Sequence, residues 1–276
     1  MIGLKITVLM DDKGSEQLAL INEHGLSMWV EYNGVKLLFD FGSTSHPLCN
    51  AEKLGIDISS ADYMLCSHAH YDHAGGFIDI MKLGIAKKLI TGKCFWEEKY
   101  GFNGVKYTYL GTGFTKDDLK KYGIEHIECA DILEIVPGCY VLGSFKRRFD
   151  FEKIPQRFVK RAADGFVSDS FDDEICLAFD TAKGLVVLVG CSHPGILNIL
   201  TDVHDRLGKN IAAVFGGTHL MEADDERIAF TLAEMKKLGV GINGFSHCSG
   251  HAVHAAMDKD STIKACHLAT GDVIEF

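Results

Sequence analysis

Short apolar runs alternate with helix-like stretches along most of the chain, and glycine or a polar residue ends nearly every run. Two of the first runs flank Asn33-Gly34, a dipeptide typical of the two-residue turn of a β-hairpin. The apolar runs 175–179 and 185–189 predict a second hairpin in the other half of the chain. The pattern therefore predicts antiparallel strand pairing at the start of each half.

Helices are predicted where apolar positions recur every three or four residues and a glycine follows. Those segments are 47–54, 77–83, 196–207 and 222–238. Strands are predicted around them, at 1–6, 63–66, 211–215, 240–245 and 273–276. Because each half combines sheet with helices, we expect two sheets packed face to face with the helices outside them.

One segment, 144–173, has no regular period and mixes basic, acidic and aromatic residues. We expect it to be an excursion over the surface, either a lid or a loop without a role. No repeat, linker or low-complexity tract divides the remainder of the chain. The sequence therefore predicts a single domain over residues 1–276.

The densest chemistry lies in His68-Ala69-His70-Tyr71-Asp72-His73, directly after the predicted strand 63–66. His68 and His70 are two residues apart, so in extended backbone their imidazoles project to the same side and can bind one ion. Asp72 and His73 are adjacent and diverge, which allows them to bind a second ion. A surface loop rich in histidine is the alternative, but it would leave four polar groups at the end of a core strand without a role.

Later histidines also lie just past predicted strand ends, namely His193, His219 and His247. Strand ends on one edge of a sandwich can converge on a single cleft. The expected ligand sets are, for a first ion, His68, His70 and His193 and, for a second, Asp72, His73 and His247. Such ions keep an open position for water or substrate and lower the pKa of bound water from 15.7 to roughly 7.

Four side chains have roles that the sequence leaves open. Asp72 can also orient the attacking water. Asp40 is either a carboxylate that accepts a hydrogen bond from a ligand imidazole or a turn residue before Gly42. His219 is a seventh ligand, a proton donor to the leaving group, a contact for an anionic substrate, or a hydrogen-bonded histidine without a catalytic role. His24, at a strand start, either lines the cleft or is structural.

Composition narrows the range of partners. A net charge of −10 argues against a nucleic-acid partner, because phosphate backbones are bound by clustered Lys and Arg. Nine scattered cysteines, none at Cys-x-x-Cys spacing, predict neither a disulfide framework nor a cysteine zinc knuckle. No apolar span is long enough for a membrane, and the start of the chain predicts a strand rather than a signal peptide. We therefore expect a cytoplasmic protein with a small-molecule substrate, in an oligomeric state that the sequence does not define.

The residues from His68 to His73 resemble the His-x-His-x-Asp-His signature of the metallo-β-lactamase superfamily, and Gly190-Cys191-Ser192-His193 and His247 resemble its later ligand positions. The resemblance runs over nearly the whole chain. It implies an α/β (α+β) fold, a four-layer αββα sandwich, with a cleft for one or two zinc ions and with manganese or iron as alternatives.

Shorter motifs resemble one subgroup of that superfamily, among them Glu23-His24-Gly25-Leu26-Ser27 and Gly216-Gly217-Thr218-His219-Leu220. The subgroup carries the label of 7,8-dihydropterin-6-methyl-4-(β-D-ribofuranosyl)-aminobenzene-5′-phosphate synthase, a dihydropteroate-synthase-like enzyme. Many superfamily members have a bridging Asp after the strand that here ends at Thr218, whereas this chain has only His219 nearby. We therefore do not expect the second site to bind its ion as tightly, or to be as fully occupied, as the first. His at position 70, in place of the Glu of the diiron redox branch, favours hydrolysis or transfer.

The sequence thus predicts a metal-dependent hydrolase, or a dihydropteroate-synthase-like transferase, whose substrate is small and either phosphorylated or pterin-like. Lys146, Arg147 and Arg148 either hold a phosphate or form a solvated basic face. One alternative is a metal-loaded binding or sensor protein without turnover. Another is a phosphodiesterase or ribonuclease of the same superfamily, which the acidic charge disfavours.

Overall fold

The computed structural model describes residues 3–276, so the predicted strand start at Met1 and Ile2 lies outside the described residues. The strands of the first part of the chain are β1 (Leu4–Met10), β2 (Ser27–Tyr32), β3 (Val35–Phe39), β4 (Tyr63–Leu65), β5 (Lys88–Gly92), β6 (Lys99–Phe102), β7 (Tyr107–Tyr109), β8 (Glu125–Cys129) and β9 (Ile132–Val136). They are followed by β10 (Cys139–Leu142), β11 (Phe158–Ala162), β12 (Gly165–Ser168), β13 (Cys176–Thr181), β14 (Gly184–Val189), β15 (Ile211–Gly217), β16 (Ile242–Ser246), β17 (Lys264–Ala265) and β18 (Val273–Glu275). The helices are α1 (His46–Lys53), α2 (Tyr71–Ala74), α3 (Phe77–Lys82), α4 (Lys116–Lys121), α5 (Ile196–Leu207), α6 (Asp225–Lys237) and α7 (His251–Lys259).

Two seven-stranded sheets form the framework. The first has the strand order β18-β1-β2-β3-β4-β5-β8, and the second has the order β17-β16-β15-β14-β13-β10-β9. Both predicted hairpins are present, as the antiparallel pairs β2–β3 and β13–β14. Pairing becomes parallel where helices connect the strands, from β3 to β4 and from β14 through β16. The strand ends that carry the histidines therefore belong to the parallel part of each sheet.

Apolar side chains fill the space between the two sheets and the space on their outer faces. Between the sheets, Ile6 and Val30 of the first belong to one buried cluster with Leu177 and Phe179 of the second. Helices α1 to α4 cover the outer face of the first sheet, and α5 to α7 cover that of the second. The four-layer αββα sandwich predicted from the sequence is confirmed. Among the described residues, no helix has the length and apolarity that crossing a bilayer requires.

Local signals place some helix ends well and others poorly. Helix α5 has the predicted bounds and ends at Gly208, which adopts a left-handed conformation. Helix α6 begins three residues later than predicted, because the side chain of Asp224 accepts the N–H of Arg227 and caps the helix there. The one-turn helix α2, which carries two of the expected ligands, is absent from the prediction.

The segment 144–173 differs from the expected surface excursion. It contains the hairpin β11–β12, whose strand β11 pairs with β6 in a separate sheet of order β12-β11-β6-β7. Phe158 on β11 and Phe171 near the end of the segment are buried, as are the side chains of Glu152 and Asp169. The segment therefore contributes to the interior on the side where the histidines lie.

Candidate metal centre

The histidines that follow separate strands meet in one buried cluster. The ring centroid of His193, after β14, lies 4.9 Å from that of His68 and 5.0 Å from that of His70. The ring of His247, after β16, lies 4.9 Å from the ring of His73. The structure therefore brings together all six residues that the sequence predicts as ligands, in the two groups that the sequence predicts.

The first group, here called site A, consists of His68, His70 and His193, with one ring nitrogen of each within 4.8 Å of the others. All three residues are buried, and burial lowers the pKa of each imidazole well below its usual range. Within residues 3–276, the Nε2 atoms of His68 and His70 and both ring nitrogens of His193 have no hydrogen-bond partner. Unpaired buried nitrogens are costly, and neutral imidazoles in this arrangement suit a divalent cation.

The environment of His68 fixes which of its nitrogens faces site A. The hydroxyl of Ser67 donates to Oδ2 of Asp40 at 2.8 Å, so its oxygen is free to accept the Nδ1 proton of His68 at 2.9 Å. We assign that tautomer because it leaves the lone pair on Nε2, the atom without a partner. His68 is therefore prepared to bind an ion through Nε2.

The second group, here called site B, consists of Asp72, His73, Cys191 and His247. Oδ2 of Asp40 lies 2.6 Å from Nδ1 of His73, and Oδ1 of Asp12 lies 2.7 Å from Nδ1 of His247. Each carboxylate accepts an Nδ1 proton, so the Nε2 atom of each ring is the one that faces site B.

Those two Nε2 atoms lie only 3.1 Å apart, with the sulfur of Cys191 at 3.2 Å from that of His73 and Oδ2 of Asp72 at 3.3 Å from that of His247. Two imidazole nitrogens, a carboxylate oxygen and a sulfur thus converge on one point, and these are donor types that a metal ion such as zinc binds. Although burial alone lowers it, the pKa of His247 is raised well above its usual range, first by Cys248 and then by Asp12 and Asp72, so an ion bound at its Nε2 would have to displace a proton. The residues of site B therefore fit a metal ion.

Cys191 escapes sequence-based prediction because no second cysteine lies at Cys-x-x-Cys spacing. The available signal is its place at the end of β14, two residues before His193. It contributes a donor to site B, where the expected acid after β15 is missing. Burial raises the pKa of its thiol well above the usual range, so an ion bound there would have to displace a proton.

The two sheets come into close contact beside both sites. A Cβ atom on Gly190, at the end of β14, would lie 2.1 Å from the hydroxyl oxygen of Ser67 and 3.4 Å from Nδ1 of His68. A residue with a side chain does not fit at this position. The absence of a side chain at Gly190 therefore allows the ligand loops of the two halves to meet.

Asp40 accepts three hydrogen bonds in this region, from the N–H and hydroxyl of Ser67 and from His73. It is fully buried and has a positive φ of 60°. This geometry agrees with the alternative in which Asp40 orients a ligand imidazole, and such carboxylates also make the imidazole a better ligand.

Aromatic residues of the segment 144–173 cover site A. The ring of Phe171 stacks on His193 with centroids 3.8 Å apart, and Phe158 lies 5.3 Å from the ring of His70. His219 is beside them, with its centroid 4.5 Å from that of His193, but it lies outside the ligand groups. The position of His219 therefore does not support a seventh ligand and leaves its other roles open.

The remaining candidates have defined positions. His24 is half-exposed beside site B, with Nδ1 2.8 Å from Asp12 and Nε2 3.2 Å from Asp72, and these carboxylates raise its pKa to about 9. Arg148 pairs with Asp205, and Arg147 donates to a backbone carbonyl. The two arginines are thus engaged by the protein, whereas His24 lies where it can line the cleft.

The αββα sandwich and the two clusters at its edge define a class of metal-binding proteins, and the comparisons identify the family. The family model described as Metallo-beta-lactamase superfamily matches residues 21–93, which include the stretch from His68 to His73. The chain belongs to the metallo-β-lactamase superfamily, since it also matches a relative at 32% identity over 99% of its length.

That relative is 7,8-dihydropterin-6-methyl-4-(beta-D-ribofuranosyl)-aminobenzene-5'-phosphate synthase of Methanocaldococcus jannaschii, of which 97% is covered. An uncharacterized protein of the same organism, MJ0448, is 30% identical over 89% of this chain and 90% of its own length. The solved structure of a metal-dependent hydrolase of the beta-lactamase superfamily is 30% identical, with a TM-score of 0.84 and 99% of each chain covered. A diphosphatase from the PhnP family, 15% identical with a TM-score of 0.55, covers 100% of this chain and 98% of its own and shares the fold.

Proposed function

We propose that this chain is a metal-dependent hydrolase that binds one ion in site A and one in site B and acts at a phosphoryl or carbonyl centre of a small substrate. The observation that carries the proposal is the convergence of seven buried His, Asp and Cys side chains in two groups, with the possible ligand atoms of each group within 4.8 Å of one another. The likeness to a metal-dependent hydrolase at 30% identity over 99% of both chains supports it.

The donor types favour zinc over manganese or iron, because imidazole and thiolate are ligands that zinc prefers. When bound, the ions supply Lewis-acid catalysis and a nucleophile derived from water at neutral pH. Asp12 and Asp40 hold the imidazoles of site B in the binding orientation. We assign Asp72, which faces both His247 and His24, the additional task of orienting the attacking water, and His219 proton donation to the leaving group.

A second candidate is group transfer to an acceptor other than water. It is favoured by the 32% identity to a synthase over 99% of the chain, and by the cover of Phe158 and Phe171 over site A, which excludes water from that side. A pterin-like or phosphorylated substrate belongs to this candidate. Under either proposal the partner is a small molecule rather than a nucleic acid.

The two candidates differ in what accepts the transferred group. The zinc-loaded protein is assayed against phosphodiesters, lactones, thioesters and pterin diphosphates, each with and without an aromatic amine as acceptor. Hydrolysis of one class without acceptor supports the hydrolase, whereas turnover only with the amine supports transfer. Full metal content without turnover of any class supports the sensor alternative, and salt-sensitive RNA binding supports the ribonuclease.

Site A is tested directly by His70→Ala, with His251→Ala as the control because His251 is an exposed histidine on α7. We expect His70→Ala to lose the ion of site A and all turnover while it stays folded, as judged by elemental analysis and circular dichroism. His251→Ala should match the wild type. Retention of two ions per chain in His70→Ala would contradict the proposal.

A further inference from the structure

We infer that Asp173 and Glu174 are positioning residues for site A, which together hold the backbones of its two ligand loops. The pair is called the carboxylate brace below. The inference rests on the proposed function only in taking site A to bind an ion. Neither residue belongs to a ligand group, so both act through the histidines.

Each residue of the brace binds a different ligand loop. Oδ2 of Asp173 accepts the N–H of Ala69, the residue between His68 and His70, at 2.8 Å. Oε2 of Glu174 accepts the N–H of His193 at 2.8 Å, and its other oxygen accepts the N–H of Ser192. Two consecutive residues just before β13 thus fix the loop after β4 relative to the loop after β14.

The bonds of the brace are inaccessible to water. Asp173 and Glu174 are each 1% exposed, and Ala69 and Ser192 are equally buried. An N–H group that lost its acceptor here would stay unsatisfied, because no water can reach it, and an unsatisfied buried donor is costly. A buried carboxylate that accepts such bonds therefore holds its loop firmly.

Site A depends on the brace because its histidines have few partners of their own. Both ring nitrogens of His193 lack a hydrogen-bond partner among the described residues, and so does Nε2 of His70. In site B, by contrast, Asp40 and Asp12 orient the rings directly. The direction of the His193 ring is therefore set by its backbone bond to Glu174 and by the ring of Phe171 stacked on it.

Lys99 joins the brace to the aromatic cover. Its Nζ lies 2.8 Å from Asp173 and 2.7 Å from Asp169, and 4.3 Å from the centroid of Phe171. Asp169 in turn accepts the N–H of Phe171 at 2.8 Å. A closed series of contacts thus runs from the loop after β4 through Lys99 to Phe171 and back to His193. The cover and the ligand loop are fixed by the same buried cation.

The test compares Asp173→Asn and Glu174→Gln with Asp172→Asn, an exposed carboxylate in the same turn. Each protein is loaded with Co²⁺, and the affinities of the two sites are measured separately by chelator competition. The thiolate-to-cobalt absorption of Cys191 reports site B, and the visible bands of an all-imidazole ion report site A. We expect site A to weaken 10- to 100-fold in both brace variants, about the effect of removing an outer partner of a metal ligand. Site B and the control variant should be unchanged.

A purely structural role predicts a different result, because loss of packing weakens both sites together and lowers the melting temperature of the metal-free protein. Equal weakening of the two sites, or unchanged affinity of site A, would overturn the inference. Glu174→Asp keeps a carboxyl group with two acceptor oxygens but shortens the side chain, and we expect it to recover part of the affinity that Glu174→Gln loses. If Asp173→Asn does not fold, Glu174→Gln and Glu174→Asp still decide the question.

Failure of the inference can be distinguished from failure of the proposed function. Wild-type protein that binds no ion would refute both. Wild-type protein that binds two ions and shows turnover, together with brace variants in which site A is unaffected, would refute the inference alone.

Discussion

Site A and site B are neighbours, yet the protein positions their ligands by different means. In the part of the chain that the structure describes, no carboxylate contacts the ring nitrogens of site A, and the loops of site A are held through backbone N–H groups by Asp173 and Glu174. The imidazoles of site B have a carboxylate on each Nδ1, and Asp11 additionally accepts the N–H of His247. Site A is thus a rigid, enclosed set of identical donors. Site B is a mixed set, with nitrogen, oxygen and sulfur, bordered by the partly exposed Asp12 and His24.

This difference implies that the two sites respond differently to mutation. Changes in the interior next to β13 should affect site A, whereas changes near the first loop of the chain should affect site B. Asp40 is the exception, because it binds His73 of site B directly and contacts His68 of site A through Ser67.

The largest effect is expected for Asp40→Ala. This substitution should weaken site A and site B together, so the two sites would no longer differ in their response. Three buried donors lose their acceptor, and each unsatisfied group costs about 1–3 kcal/mol. We expect the free energy of unfolding, measured in urea, to fall by about 3 kcal/mol or more. We also expect elemental analysis to find no ion in either site. An Asp40→Ala protein that keeps both ions and wild-type stability would show that the carboxylate is dispensable.

Cys191→Ser should separate the sites most clearly. Loss of the sulfur removes a donor from site B alone, so we expect its affinity to fall by more than tenfold, or about 1.4 kcal/mol, with the thiolate-to-cobalt absorption abolished. Cys139→Ser is the matched control, since Cys139 is also buried, lies in the core between the sheets and is outside the ligand groups. Persistence of the absorption band in Cys191→Ser would exclude Cys191 as a ligand.

A smaller effect in the same direction is expected for Asp12→Asn. The amide oxygen can still accept from His247, but it lacks the charge that strengthens the imidazole as a ligand, so site B should weaken about 10-fold, at the lower end of outer-partner effects. Zinc affinities from chelator competition, compared with those of Asp173→Asn, test whether each variant affects only its own site. If Asp12→Asn also weakened site A, the claim that the two sites are supported by separate carboxylates would be wrong.

The smallest effect concerns pH and the metal-free protein. Asp12 and Asp72 raise the pKa of His24 from 6.5 to about 9. The stabilisation by protonated His24 is therefore complete below pH 6.5 and is lost as the pH rises through about 9. Because His24 is half-exposed, its share should stay below about 1 kcal/mol. Urea unfolding with a chelator on both sides of this window should show a shallower decline for His24→Gln than for the wild type, and identical declines would rule out this assignment.

The sequence predicts that His68, His193 and His247 come together, because each lies just past the end of a strand and strand ends are marked by local patterns. Their role as metal ligands stays a prediction. Cys191, Asp12 and the brace could not be predicted, because their roles depend on contacts between distant parts of the chain. Asp12 contacts a histidine 235 positions later, and Asp173 contacts an amide 104 positions earlier.

The same distinction applies to the fold. The bounds of α5 follow from the glycines that flank it, whereas the hairpin β11–β12 has no clear apolar period of its own. That hairpin is stabilised by pairing with β6, whose residues are far away in the sequence. Phe158 becomes an interior residue only in that pairing, so no local pattern identifies it.

Gly190 connects the two sites in one further respect. Its α-carbon lies where the loops of the two sheets touch, so even one methyl group at position 190 would act as a wedge between the halves of the sandwich. That methyl group would displace Ser67, which contacts His68 and also donates to Asp40, the carboxylate that orients His73. The distance between site A and site B thus depends on a residue that belongs to neither of them.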